Sequence, residues 1–271
     1  MAVLRLLKRV KRFLESAVVR EKRRGNSLRY LYLKPTTKSE VLMEAHILVV
    51  KKAVYASVAK VCVESFLHFH PRSQVVIHAD SLTVHEVSRK LRKVISRGKV
   101  RVILVDREEL TWQNLKLNLI LGLGSPSRFF MDADLRWNGL MPPISNVTLF
   151  VEEFKFKDNS FYAPLFTNSY FQKYINCTMK NTSFFYWGDH KPKEHYDTFI
   201  HEMMNEVLKI TGNPDNPEEF NSRTRRISEQ IALSLLVEST CEKVDFLKQS
   251  AVYKDGTFVE SSYFGATGSS F

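Results

Sequence analysis

The sequence contains little cysteine and no long apolar run, and both shortages limit what the chain can be. Its three cysteines, Cys62, Cys177 and Cys241, lie far apart and form no Cys-x-x-Cys pair. An odd, scattered set of thiols is typical of a reducing compartment and argues against a cysteine zinc site. No apolar stretch has the length of a transmembrane helix, and the basic N-terminus lacks the unbroken apolar core of a secretory signal. We therefore expect a cytoplasmic protein.

The chain is instead rich in positive charge. Its 271 residues carry a formal net charge of +11, with a pI of about 9.5. An excess of this size favours a polyanionic partner such as a nucleotide, a nucleic acid or an acidic membrane face. The cations concentrate in residues 1–24 and 89–101 and are not interleaved with aromatic side chains, so a nucleic-acid-binding role is not expected.

Residues 1–40 are predicted to form a basic amphipathic helix followed by a connector. Apolar side chains recur at helical spacing within residues 1–24, and Arg5, Lys8 and Arg9 fall on the opposite face. Such a helix can lie in an anionic membrane surface, which would place the protein peripherally at the cytosolic face of a membrane. It can equally pack on the protein with its charged face in solvent. Residues 41–271 are expected to form a single domain.

The first half of that domain alternates between strand and helix patterns. Strands are predicted at residues 47–50, 74–78, 100–105 and 128–131, separated by three amphipathic helices, the second beginning with a capping box at Thr83–Glu86. Repeated strand–helix–strand units with strands that are apolar throughout indicate an α/β fold, with a mostly parallel central sheet and helices on both faces. In the less regular second half, short strands are expected at residues 147–151, 161–166 and 182–187, and helices at residues 195–210 and 227–237.

Two carboxylates follow the fourth predicted strand, in the stretch Arg128-Phe129-Phe130-Met131-Asp132-Ala133-Asp134. Residues i and i+2 of an extended chain lie on the same side, so Asp132 and Asp134 are expected to converge where the strand leaves the core. Two carboxylates at one point repel each other unless a cation lies between them. A hard divalent cation, Mn²⁺ or Mg²⁺, together with a diphosphate that shares it, suits this pair. Ligands of open α/β sheets bind beyond the carboxyl ends of the strands, where both residues fall.

These features together resemble the GT-A glycosyltransferases, whose nucleotide-diphospho-sugar transferase fold is Rossmann-like. The marker is the DxD motif, here Asp132-Ala133-Asp134. The strand Asn181-Thr182-Ser183 is similar to the strand that faces the donor sugar in that family, and Ser228-Glu229-Gln230 is similar to the Asp/Glu-Gln step found late in it. The resemblance covers roughly residues 45–255, with a nucleotide-binding half, 41–140, and an acceptor or sugar half, 141–271.

The resemblance implies a metal-dependent transfer of a sugar from a nucleotide sugar, a UDP-sugar first of all, to a hydroxyl of a glycan or lipid-linked acceptor. By the resemblance, Asp132 and Asp134 are metal ligands, Asp132 also lies at the nucleotide, and Asn181, Ser183 and Gln230 lie at the sugar. From their positions in the predicted sheet, Asp80 and Lys116 are further candidates at the nucleotide, although Asp80 could equally cap a helix and Lys116 could be a solvated lysine. Glu229 or Asp189 is the candidate catalytic carboxylate. Whether the anomeric configuration is retained or inverted stays open.

Other functions remain as alternatives. The early Asp-Asp-x-Ser signature of many inverting enzymes is missing, and the tail offers no histidine as a further metal ligand, which keeps open a catalytically inactive GT-A-like binding protein. A nucleotidyltransferase would usually have a glycine-rich loop after the first strand. The segment Lys51-Lys52-Ala53-Val54 contains no glycine, which argues against that class.

Overall fold

A computed structural model describes residues 42–105, 111–123, 127–137, 139–188, 194–241 and 243–247, all within a compact unit from Ser39 to Phe271. The predicted helix and connector of residues 1–40, Asp189 and the end of the chain lie outside the described residues. No helix in the described part of the chain is both long and apolar enough to cross a bilayer.

Seven strands and nine α-helices occur in the described residues. The strands are β1 (Glu44–Val49), β2 (Gln74–Ala79), β3 (Val100–Leu104), β4 (Arg128–Met131), β5 (Val147–Lys155), β6 (Thr178–Tyr186) and β7 (Val244–Phe246). The helices are α1 (Tyr55–Phe69), α2 (Val84–Lys90), α3 (Arg92–Ile95), α4 (Trp112–Leu121), α5 (Ala163–Phe166), α6 (Ser169–Gln172), α7 (Glu194–Thr211), α8 (Glu218–Arg226) and α9 (Ser228–Thr240).

The described strands form one mixed sheet in the order β3-β2-β1-β4-β6-β5-β7. The four strands from β3 to β4 are parallel, whereas β6 runs antiparallel to both β4 and β5. The chain moves outward from β1 to β3 and then returns to place β4 on the other side of β1. This reversal opens a crevice at the carboxyl ends of β1 and β4.

Helices cover both faces of the sheet, as two adjacent residues of β4 show. The Phe129 ring lies 5.6 Å from that of Phe66 on α1, centroid to centroid. The next residue, Phe130, points to the opposite face, where the Lys116 ammonium of α4 lies 5.1 Å from its ring centroid. Because side chains alternate along a strand, this pair places α1 and α4 on opposite sides of the sheet. The predicted α/β fold class is confirmed.

The second half packs on the sheet through α9. The N–H of Lys180 on β6 donates to the Ser234 hydroxyl of α9 at 2.9 Å, and that hydroxyl lies 3.2 Å from the Lys180 carbonyl. Nearly every residue from Ile231 to Val237 is buried. A helix that is apolar all round is surrounded by protein, which explains its central position between the sheet and α7.

Three local predictions were wrong. Residues 161–166 form a 3₁₀ turn and the short helix α5 instead of a strand, because Asn159 accepts from the N–H of Phe161 and Pro164 falls in the first turn of the helix. Thr83 does not close a capping box, since its hydroxyl faces the Val49 carbonyl and the Asp80 carboxylate instead. The second predicted helix, which follows Thr83, breaks at Leu91 into α2 and α3.

Candidate active site

The DxD motif lies in a tight turn directly after β4. The strand ends at Met131, before either aspartate, and Asp134 lies in a turn, so the predicted extended geometry is corrected. The N–H of Asp132 donates to the Ser183 carbonyl on β6 at 2.6 Å, and the N–H of Leu135 donates to the Asp132 carbonyl at 3.2 Å. The turn brings the two carboxylates close enough that the charge of Asp132 adds to burial in raising the pKa of Asp134 to about 7.

Lys116 on α4 supplies a buried cation to this turn. Its Nζ lies 3.1 Å from Oδ1 and 3.3 Å from Oδ2 of Asp132, with 5% of the lysine side chain exposed. Burial disfavours the ammonium, but the charges of Asp132 and Glu229 more than compensate and raise the pKa of Lys116 above its ordinary value. The lysine is therefore charged, and it bridges the strand β4 and the helix α9.

Glu229 is the third carboxylate of the cluster. It lies in the first turn of α9, its Oε1 is 3.9 Å from the Lys116 Nζ, and 4% of its side chain is exposed. Its Oε2 is buried and has no hydrogen-bond partner among the described residues. Burial raises the pKa of Glu229 to about 7, and the Lys116 ammonium opposes the rise. A buried carboxylate oxygen without a donor is costly unless a ligand completes it.

The charges of this cluster fit a divalent cation. When fully ionised, Asp132, Asp134 and Glu229 carry three negative charges against the single positive charge of Lys116, which leaves an excess of two. The two DxD carboxylates supply the oxygen ligands that Mn²⁺ and Mg²⁺ prefer, and Mg²⁺ commonly binds through one or two carboxylates plus substrate phosphates. The described residues contain no group of three or more His, Cys, Asp or Glu placed to hold a metal ion. The two DxD carboxylates therefore suit a cation whose other ligands come from a substrate.

Asp80 holds the turn that follows β1. It is 1% exposed, and its carboxylate accepts from the N–H of Lys51 at 2.8 Å and from the Thr83 hydroxyl at 2.8 Å. Lys51 has a φ of 77°, a left-handed conformation that is rare outside glycine. The buried carboxylate thus stabilises a strained turn at the edge of the crevice. Its predicted contact with a nucleotide stays a prediction.

The predicted sugar-binding residues divide into two groups. Ser183 lies beside Asp132, and its N–H donates to the Asn181 Oδ1 at 2.9 Å. The Asn181 Nδ2 donates outward to Glu153 on β5 at 3.0 Å. Gln230 follows Glu229 on α9 and is partly buried. Ser183 and Gln230 therefore flank the acidic cluster, while the amide of Asn181 joins two strands. Asp189 lies outside the described residues, so its catalytic role also stays a prediction.

Sequence reasoning missed two aromatic residues at the crevice. Burial, followed by the charge of Asp134, raises the pKa of Tyr55, which places the phenol of α1 near the DxD turn. The Lys51 ammonium lies 4.9 Å from the ring centroid of Trp112, which is one helical turn before Lys116 on α4. Both aromatic residues begin helices that start at the carboxyl edge of the sheet. Their position at the first residue of a helix is the sequence signal that could have identified them, because helix starts line the ligand crevice of such folds.

Comparisons with solved structures find glycosyltransferases at low sequence identity. A galactosyltransferase, LgtC, solved with donor and acceptor sugar analogs, is 12% identical with a TM-score of 0.49, covering 75% of this chain and 73% of that one. Mouse xyloside xylosyltransferase 1 is 11% identical with a TM-score of 0.44, covering 76% and 85%. A mannosyltransferase from Pyrobaculum calidifontis, solved with GDP-Man and Mn²⁺, is 10% identical with a TM-score of 0.31, covering 91% and 82%.

No protein-family model matches the chain, and no curated protein matches its sequence. The strand order, the parallel crossovers and the acidic turn after β4 agree with the GT-A type of fold that the sequence resembles.

Proposed function

We propose that this protein is a metal-dependent glycosyltransferase. It transfers a sugar from a nucleotide sugar, a UDP-sugar first of all, to a hydroxyl of a glycan or lipid-linked acceptor. The observation that carries the proposal is the cluster of Asp132, Asp134, Glu229 and Lys116 at the carboxyl edge of the sheet. It combines two carboxylates suited to a shared cation with a buried, unsatisfied carboxylate that has a shifted pKa. Such combinations in a crevice are typical of catalytic sites.

Asp132 and Asp134 would hold Mn²⁺ or Mg²⁺. A bound divalent cation neutralises charge on a departing diphosphate, which is the chemistry that the group would supply here. Lys116 orients Asp132, because its ammonium contacts both carboxylate oxygens. Asp80 and Lys116 are also proposed to lie at the nucleotide. Asp80 would contribute by holding the turn at Lys51.

Glu229 is the proposed catalytic carboxylate. A pKa of about 7 suits a group that accepts a proton from the acceptor hydroxyl near neutral pH, and the same carboxylate could instead face the anomeric carbon. Ser183 and Gln230 would bond sugar hydroxyls beside it, with Asn181 supporting Ser183 from the same strand. Asp189 is the alternative carboxylate. Residues 1–24 are proposed to contact an anionic membrane surface near the acceptor.

A thermal-shift panel of UDP- and GDP-sugars, with Mn²⁺ or with a chelator, tests this function. We expect one donor to stabilise the protein only when the metal is present, by about 2.7 kcal/mol at a ligand concentration 100 times the Kd. Asp134→Ala should abolish the metal-dependent stabilisation by the donor. The control Asp158→Asn changes an exposed acid outside the crevice and should preserve that stabilisation. Unchanged metal-dependent stabilisation in Asp134→Ala would overturn the metal role. Release of nucleoside diphosphate from the same donor then measures turnover.

A further inference from the structure

A second charged surface lies at the amino edge of the sheet, opposite the candidate active site. We call it the basic edge, and it consists of Arg72, Arg92, Lys93, Arg97, Lys99, Arg101 and Arg128. The sequence from residue 89 to residue 101 contains seven lysines and arginines and no carboxylate. The proposed function uses none of them. The four residues of β4 separate Arg128 on this edge from the DxD turn, a rise of roughly 13 Å.

Backbone hydrogen bonds at the strand starts make the basic edge continuous. The Val75 N–H donates to the Lys99 carbonyl at 3.0 Å, and the Lys99 ammonium donates to the Arg72 carbonyl at 3.5 Å. The Gln74 N–H donates to the Met43 carbonyl at 2.9 Å, which brings the start of β1 to the same place. The cations of three neighbouring segments therefore share one surface.

Glu44 is a carboxylate within the basic edge and neutralises only part of it. Arg101 donates to its Oε2 at 3.1 Å, and Arg128 lies 2.9 Å from its Oε1. The glutamate side chain is 18% exposed, whereas those of the two arginines are 61% and 46% exposed. The carboxylate therefore lies beneath the arginines, and the outer layer of this surface is cationic.

The side chains among these cations favour a lipid surface over a nucleic acid. Leu42 precedes Met43, whose carbonyl accepts from Gln74 near Arg72, and it is 64% exposed. An exposed apolar side chain beside basic ones is the combination with which interfacial segments enter the headgroup layer of anionic bilayers. The sequence between Pro71 and Leu104 contains no Phe, Tyr or Trp on which bases would stack.

We propose that the basic edge docks on an anionic lipid bilayer, with Leu42 entering the headgroup layer. In this orientation the candidate active site opens away from the bilayer, about one strand length above it. This contact is additional to the one expected of residues 1–24, and it does not depend on the proposed transferase activity.

Vesicle sedimentation with the full chain tests the contact. Arg92→Gln, Lys93→Gln and Arg97→Gln are combined in one variant, and the matched control combines Lys155→Gln, Lys157→Gln and Lys243→Gln, exposed cations of the second half. Each basic side chain near an anionic surface contributes about fivefold, so the first variant should partition roughly 100-fold less onto phosphatidylcholine vesicles that contain phosphatidylglycerol. The control variant should partition like the wild type, and pure phosphatidylcholine should bind neither.

Equal partitioning of the two triple variants would overturn the proposal. So would a loss of affinity for duplex DNA or RNA in the first variant with vesicle binding unchanged, which would assign the surface to nucleic acid. The single variant Arg97→Gln, in the turn before β3, serves if the triple variant does not fold, and it should lose about fivefold.

Energy transfer to a labelled lipid tests the orientation. A fluorophore at Ser96→Cys, on the basic edge, should transfer more strongly than one at Ser81→Cys, after β2 at the opposite edge, with Cys177 and Cys241 replaced by serine in both. Both serines are exposed. Stronger transfer from position 81 would refute the orientation.

Discussion

At the residue scale, the buried ammonium of Lys116 stabilises carboxylates whose burial would otherwise be costly. Lys116 contacts Asp132 and reaches Glu229, so it satisfies acids from two separate elements. A buried ion pair adds little stability compared with apolar residues of the same shape, but removal of one partner is costly. The cluster is therefore better explained by chemistry than by stability.

The variant Glu229→Gln should separate the effect of this carboxyl on stability from its effect on sugar transfer. The folded pKa of about 7 lies above the ordinary value of 4.5, so the stability contributed by this carboxyl is complete below about pH 4.5 and is lost as the pH rises through 7. Without metal, the free energy of unfolding of Glu229→Gln should exceed that of the wild type above pH 7 by an amount on the order of 3 kcal/mol, since one pKa unit corresponds to about 1.4 kcal/mol.

Denaturant unfolding across this pH range measures the difference. The stability difference between the variant and the wild type should shrink toward zero near about pH 4.5, where the folded Glu229 carboxyl is neutral like the glutamine amide. Sugar transfer by Glu229→Gln should fall by about 100-fold or more, the contribution of a general base. A constant stability difference at all pH values would mean that the Glu229 carboxyl does not titrate as its buried position requires.

At the scale of the element, the turn after β1 depends on a carboxylate from the next strand. Asp80 accepts the N–H of Lys51, and the single O–H of Thr83 lies within hydrogen-bond distance of both the Asp80 carboxylate and the Val49 carbonyl. Three segments are thereby held together at the edge of the crevice. The left-handed Lys51 persists because its neighbours determine its conformation, as in many strained turns at binding sites.

Asp80→Asn should loosen this turn. An amide offers one acceptor oxygen where the carboxylate offers two, so either the Lys51 N–H or the Thr83 hydroxyl loses its acceptor. We expect a decrease of about 1–3 kcal/mol in the free energy of unfolding, the usual cost of an unsatisfied buried donor. Asp158→Asn is the matched control and should change stability by less than about 0.5 kcal/mol. Equal urea midpoints for the two variants would show that the Asp80 carboxylate does not hold the turn.

At the scale of the whole molecule, the two halves share one sheet. The antiparallel pairing of β4 with β6 joins the parallel strands of the first half to the second half, and the Ser183 carbonyl of β6 accepts from the Asp132 N–H. Gly188 lies just after β6, where a Cβ would come within 2.5 Å of the Asn146 carbonyl carbon and 2.7 Å of the Ser145 carbonyl oxygen. Two backbone segments therefore meet there with no space for a side chain.

Gly188→Ala should destabilise the whole domain by about 3 kcal/mol, because backbone atoms must move. Gly98→Ala, where open space surrounds the Cβ but φ is +69°, should cost about 1 kcal/mol. Far-UV circular dichroism and tryptophan fluorescence should report the same midpoint for each variant, since one sheet unfolds as one unit. Separate transitions by the two probes would contradict a shared sheet.

Local patterns were sufficient for most of the first half of the fold. The apolar strands and the helices between them appear near where the periodicity predicts, although the helix after β2 breaks at Leu91. The second half was harder to predict because its elements depend on distant partners. Residues 161–166 have the composition of a strand, but a local Asn159 cap and Pro164 favour helical turns. The helix α8 lies between the helices predicted at residues 195–210 and 227–237, where the sequence analysis predicts no element.

The sequence by itself determined the class of the fold and the position of the acidic pair, because strand periodicity and the residues after a strand are local properties. Only the tertiary structure decided which charges meet. Lys116, Asp132 and Glu229 are far apart in the chain, and the return of the chain from β3 to β4 and the packing of α9 bring them into contact. Their low exposure and the shifted pKa of Glu229 follow from that burial. No pattern along a single segment carries that information.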